Sequence, residues 1–218
     1  MKKLVIFDLD GTLVNSIYDL ADCVNKALSN ANLPQNSLEE YYTFVGNGIE
    51  NLIRVSMRDK GGDNELYKII RKDFDALYKE HCNDKTVAYD GISELLADLS
   101  AEGIDTAVLS NKAHEYVGVI LEKCFPNHKF SAAWGQQKDI KRKPDGEGVE
   151  KLLEILGYTK ADCVYIGDSD VDVYTARNAG VDMIGVVWGF RGEQELVSTG
   201  AEHIAADTQD LFRIIIGM

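Results

Sequence analysis

The chain has 218 residues, 45% hydrophobic and 27% charged, with a formal net charge of -13. That composition excludes a disordered chain, and the acidity excludes a broad basic face for nucleic acid. No apolar run is long enough to cross a bilayer, and Met1-Lys2-Lys3 runs straight into a strand with no signal-peptide pattern.

These features lead us to expect a soluble cytoplasmic protein, monomer or homodimer, with no nucleic-acid or membrane partner. The four cysteines, Cys23, Cys82, Cys124 and Cys163, form no CxxC pair. Free thiols in a reducing compartment are expected, not a zinc or redox site.

In chain order, Leu4-Val5-Ile6-Phe7 reads as a strand buried on both faces. It ends in Asp8 and Asp10, followed by Gly11-Thr12. Side chains two apart in extended backbone leave on one face, and two such carboxylates repel unless a cation intervenes. Oxygen-only ligands suit a hard cation such as Mg²⁺.

Ser16 with Asp19 predicts a capping box for a helix carrying Ile17, Leu20, Ala21, Val24 and Leu28. Ser37 with Glu40 predicts a second, short helix. After the break Gly46-Asn47-Gly48, Ile49, Leu52, Ile53 and Met57 mark a third. Leu66, Ile70, Phe74, Leu77 and Tyr78 mark a fourth. This stretch contains no strand signal.

From Gly91 onward helices and strands alternate. The expected strands are Thr106 to Leu109, Ser131 to Trp134, Cys163 to Ile166 and Met183 to Val187. Asp207 caps a last helix. The pattern predicts an α/β fold: a doubly wound, Rossmann-like parallel sheet with an inserted all-helical cap. The core is residues 1–14 and 84–218, and the cap is residues 15–83, placed as a lid over the carboxyl edge of the sheet.

Four segments then bring polar groups to that edge: Asp8 with Asp10, Ser110 with Asn111, Lys143, and Asp168 with Asp172. Carboxylates can hold a cation, while a hydroxyl and an ammonium hold an anion beside it. These are the parts of a phosphoryl-transfer site.

In order, Asp8-Leu9-Asp10-Gly11-Thr12, Ser110-Asn111, Lys143-Pro144 and Gly167-Asp168-Ser169-Asp170-Val171-Asp172 resemble the four motifs of the haloacid dehalogenase (HAD) superfamily. The resemblance covers nearly the whole chain. Within that superfamily the chain looks like the phosphoglycolate-phosphatase branch with a helical cap.

The resemblance implies a Mg²⁺-dependent phosphatase that cleaves a small phosphorylated metabolite through an aspartyl-phosphate. Asp8 is then the nucleophile and Asp10 the general acid/base. The metal set is Asp8, Asp10 through its carbonyl, Asp168 and Asp172. Ser110 and Lys143 hold phosphoryl oxygens, with Gly11 and Asn111 beside them. Gly46 and Asn47 lie in the cap's substrate loop, and Arg54 is a candidate for a substrate carboxylate.

A β-phosphoglucomutase-like phosphotransferase shares these motifs. A phospho-accepting signalling domain shares the acidic edge, but it has no use for the helical insertion. Where the branch usually has Asp-Ser, this chain has Asn15-Ser16. After Lys143-Pro144 it has Asp145-Gly146 in place of a second proline. Sugar phosphates, pyrophosphate and nucleotides therefore stand beside phosphoglycolate as substrates.

Overall fold

A computed structural model describes residues 1–218. Strand β1 (Leu4–Phe7) lies inside a six-stranded sheet of order β5-β4-β1-β6-β7-β8, in which every pairing is parallel. The other strands are β4 (Asp105–Ala113), β5 (Ala132–Gln136), β6 (Cys163–Gly167), β7 (Asp182–Val186) and β8 (His203–Ala205). The order in which strands are added reverses about β1, so the carboxyl ends of β4, β1 and β6 lie side by side at a switch point, where open α/β sheets bind ligands.

Alternation puts the two faces of β1 in different cores. Val5 and Phe7 join Val108, Val164 and Ile166 under α5 (Ile92–Ala101), α6 (His114–Cys124) and α10 (Thr208–Gly217). Leu4 and Ile6 join Ala107 and Tyr165 under α7 (Glu147–Leu156) and α8 (Asp170–Ala179). All four β1 side chains are fully buried, each worth about 1.5–3 kcal/mol of transfer free energy. The central strand is thereby pinned, and Asp8 with it.

Helices α1 (Ile17–Asn30), α2 (Leu38–Phe44), α3 (Gly48–Ser56) and α4 (Asn64–His81) gather a separate cluster of 16 buried residues. The expected capping box of α2 is present: Glu40 N donates to Ser37 Oγ, and Ser37 N donates to Glu40 Oε2. No helix is long and apolar enough to cross a membrane. The cysteines are free, and only Cys124 is partly exposed.

The box expected at Ser16 and Asp19 does not form. Ser16 Oγ donates instead to Asp10 Oδ1 at 2.5 Å. Asp19, buried, accepts from Lys85 N, Thr86 N and Thr86 Oγ1 at 2.7–3.0 Å. Distant partners outbid the local cap because they supply more donors. The contact ties α1 to the returning chain, beside an antiparallel pair that the sequence analysis did not anticipate, β2 (Val14–Asn15) with β3 (Val87–Ala88). Both connections between helical block and sheet therefore run through one neck.

Replacing Asp19 by Ala leaves the Lys85 N–H, the buried Thr86 N–H and the Thr86 hydroxyl without this acceptor. We expect a loss of about 3 kcal/mol, read by urea denaturation, with faster amide exchange at Lys85 and Thr86. Unchanged exchange there would show that the neck is held otherwise.

Other differences are local. β4 runs to Ala113, past Leu109, with an irregularity where Ser110 and Asn111 sit. β5 spans Ala132–Gln136, starting and ending later than expected. Helix α9 (Glu193–Thr199) and strand β8 carry too few apolar residues to announce themselves.

Candidate active site

β1 delivers Asp8 to the sheet edge, β6 delivers Asp168, and the first turn of α8 delivers Asp172. One carboxylate oxygen of each lies within 4.8 Å of the others, and all three residues are buried. Two glycines make this possible. A Cβ on Gly11 (φ +90°) would stand 2.5 Å from Asp168 Oδ2, and one on Gly167 would stand 2.2 Å from Asp172 Cγ.

Lys143 enters from the loop before α7. Its Nζ lies 2.7 Å from Asp172 Oδ1, 2.9 Å from Asp8 Oδ1 and 3.0 Å from Tyr165 Oη. Lys143 forms an ion pair with Asp8 Oδ1, which has no other partner. Asp172 is fully used. Its Oδ2 accepts from Ser169 Oγ, Ser169 N and Asp168 N as the cap of α8, and its Oδ1 takes Lys143. Asp168 accepts from Phe190 N at 2.7 Å and Thr12 Oγ1 at 3.3 Å.

Burial pushes the Asp8 carboxyl up to about 6; Lys143 works against the rise, and Asp172 adds to it. Burial, then Asp172 and Asp8, raises Asp168 well above the carboxylate range. Burial opposes the charge on Lys143, but Asp172 and Asp8 outweigh it and hold the ammonium protonated.

Three buried carboxylates thus face one ammonium, a formal imbalance of two negative charges. The donor set is all oxygen, and Asp8 Oδ1 has no partner but the Lys143 ammonium. Both features fit a hard divalent cation held chiefly by Asp8 and Asp168. Asp172, with its oxygens occupied, orients Lys143 and the α8 terminus.

Asp10 is paired elsewhere. Lys112 Nζ lies 3.0 Å from its Oδ1, which the Ser16 hydroxyl also contacts, and 3.2 Å from its Oδ2. Lys112 is buried beneath the Tyr78 ring, and Asp10 outweighs the cost of burial to keep it charged. Sequence reasoning passed over this lysine. The signal was there, a charged side chain directly after an apolar strand and a motif pair, but nothing local names its partner 102 residues away.

Ser110 lines the same cavity as Asp8 and Asp10. It does not cap α6, whose N-cap is Ala113; its Oγ accepts from Lys112 N. The Asn111 amide bridges Lys143 and the helical block. It donates to Lys143 O and Gly46 O, and accepts from Lys143 N.

Three core side chains in fact hold three successive carbonyls of the 45–47 turn. Arg191 Nη2 donates to Val45 O at 2.9 Å, Asn111 Nδ2 to Gly46 O at 3.0 Å and Arg142 Nη1 to Asn47 O at 3.0 Å. Gly46, at φ +117°, allows the turn. Gly46 lines the cavity and Asn47 does not. Arg54 faces away: it pairs with Glu50, binds Gly61 O and covers Tyr67, which makes it a strut inside the helical block.

The model of the haloacid dehalogenase-like hydrolase family matches residues 5–186, a span that includes all of these motifs. The chain is a haloacid dehalogenase-like hydrolase. It is similar to the phosphoglycolate phosphatase of Mannheimia succiniciproducens, at 31% identity over 98% of both chains. It is also similar to that of Psychrobacter arcticus, at 33% identity over 89% of this chain and 87% of the other. A crystal structure of a phosphoglycolate phosphatase candidate from Lactobacillus delbrueckii subsp. bulgaricus superposes with a TM-score of 0.94, at 31% identity over the whole of both chains. The hydrolase therefore falls in the phosphoglycolate-phosphatase-like branch, with the parallel core and flanking cap helices the sequence led us to expect.

Proposed function

We propose that the hydrolase is a Mg²⁺-dependent phosphatase that cleaves a small phosphate monoester through an aspartyl-phosphate. The observation that carries this reading is Asp8: a buried carboxylate at the end of the central strand, whose Oδ1 has no partner but an ammonium 2.9 Å away. A nucleophile needs a carboxylate not tied up by hydrogen bonds, and the transferring group needs that positive charge.

In the first half-reaction an Asp8 oxygen attacks phosphorus. The bond from phosphorus to the leaving oxygen breaks, and Asp10 gives that oxygen a proton. In the second, Asp10 takes a proton from water, the water oxygen attacks phosphorus, and inorganic phosphate leaves with Asp8 restored. Ser110, Lys143 and the N–H groups near Gly11 and Asn111 hold the phosphoryl oxygens. Held by Asp8, Asp168 and the Asp10 carbonyl, with Asp172 behind, Mg²⁺ would offset charge on the phosphoryl group.

Residues 15–83 act as a cap that moves about the β2–β3 neck and closes through the 45–47 turn, excluding water while the ester is cleaved. The relatives' names make 2-phosphoglycolate the first ester to test. Phosphate release from a panel of small esters, with Mg²⁺ and with EDTA, is the experiment. We expect turnover only with the metal. No release from any ester would sink the reading.

A further inference from the structure

Beyond the reaction type, the cavity bears on the leaving group. We propose that the leaving alcohol is uncharged and carries an apolar body, unlike the carboxylate-bearing glycolate. This rests on the phosphatase reading above.

The cavity between the sheet edge and the helical block has a volume of about 70 Å³ and opens to solvent. Asp8, Asp10 and Ser110 form its floor. One face of α4 forms a wall: Arg71, Phe74, Asp75 and Tyr78, at the i, i+3, i+4, i+7 spacing of a single helical stripe. Phe74 and Tyr78 stack with centroids 5.0 Å apart, and Tyr116 meets Tyr78 edge-on at 5.0 Å. Leu20, Ile49 and Leu52 line it as well. Seven residues of helix span about 10 Å, so this wall extends well past a two-carbon acid bound at the floor.

Charge decides against an anion there. The cavity is lined by two cations, and each already has a carboxylate. Lys112 is held by Asp10, and Arg71 Nε donates to Asp75 Oδ1 at 2.7 Å. Lys143 sits behind the floor between Asp8 and Asp172. Glu115 lines the cavity too, with no cation paired to it. A substrate carboxylate would lose water and meet only cations already shared with carboxylates, next to Asp75 and Glu115. An uncharged chain or ring would instead cover the Phe74, Tyr78 and Leu52 surface and displace water from it.

The test uses a minimal pair of esters with similar leaving alcohols, 2-phosphoglycolate and 2-hydroxyethyl phosphate, plus hexyl phosphate for the apolar wall. With Mg²⁺ at pH 7.5, kcat/KM is expected to be at least about tenfold higher for each uncharged ester than for 2-phosphoglycolate. Asp75→Asn releases Arg71 from its carboxylate. The ratio of 2-hydroxyethyl phosphate to 2-phosphoglycolate should then shrink several-fold, through a lower KM for the anion. Equal or better hydrolysis of 2-phosphoglycolate by the unmodified enzyme overturns the proposal, and so does a ratio that Asp75→Asn leaves unmoved. Silence on all three esters and on the wider panel is a different result, because it removes the phosphatase reading itself.

Discussion

Asp8→Asn should abolish turnover and, in the metal-free protein, raise thermal stability. The loss of activity follows from the nucleophilic role proposed for the Asp8 carboxylate, and should be at least about 10³-fold in kcat. The stability gain follows from the sign of the Asp8 shift. Its carboxyl is raised from 3.8 to about 6 by burial. The folded protein therefore binds the proton more tightly than the unfolded chain does. The corresponding stability is full below about pH 4 and is lost as pH rises through 6.

At pH 7 the ionised Asp8 is a net cost, on the order of 3 kcal/mol for a shift of this size. A neutral amide removes that cost and leaves Lys143 with Asp172. Differential scanning calorimetry at pH 7 in EDTA should show a Tm several degrees higher in the variant, with the gap closing toward pH 5. Adding Mg²⁺ should reverse the order, since the unmodified protein gains by binding and the variant gains little. A variant that is less stable in EDTA would mean that Asp8 is not strained by its surroundings.

Lys143→Ala should cost both fold and chemistry. The ammonium is the one positive charge among Asp8, Asp168 and Asp172, and it is itself buried. Without it the carboxylates face one another in a dry site, a loss of about 3–5 kcal/mol. Phosphoryl transfer should fall about 10²–10³-fold from the missing charge alone. The two effects separate by pH. Denaturant unfolding in EDTA should show the stability loss shrinking from pH 7 to pH 5, because Asp8, whose carboxyl is already raised to about 6, takes up a proton there. A loss that does not change over that range would assign Lys143 a packing role in place of an electrostatic one.

The chain's own residues announced its central machinery. Leu4 to Phe7 is a short apolar run that ends in two carboxylates, and a strand buried on both faces has no other way to read. Strand-end positions then put Asp8, Asp168 and Ser110 on one edge, because parallel strands share their polarity. The cap helices were legible from apolar periodicity, and the order of the four motifs pointed to the family that the comparisons established.

What the tertiary structure alone decided are the pairings. Ser16 and Asp19 have the spacing of a capping box, yet one serves Asp10 and the other the chain at Lys85 and Thr86. Asp10 with Lys112, Arg191 with Val45 and Arg142 with Asn47 each join segments about a hundred residues or more apart. Helical and strand periods carry information over one or two turns of chain, so such partners leave no trace in the local pattern. The acidity of the cavity is of the same kind. Lys112 and Arg71 lie 41 residues apart in the sequence, and only folding shows that both line one cavity, each beside a carboxylate.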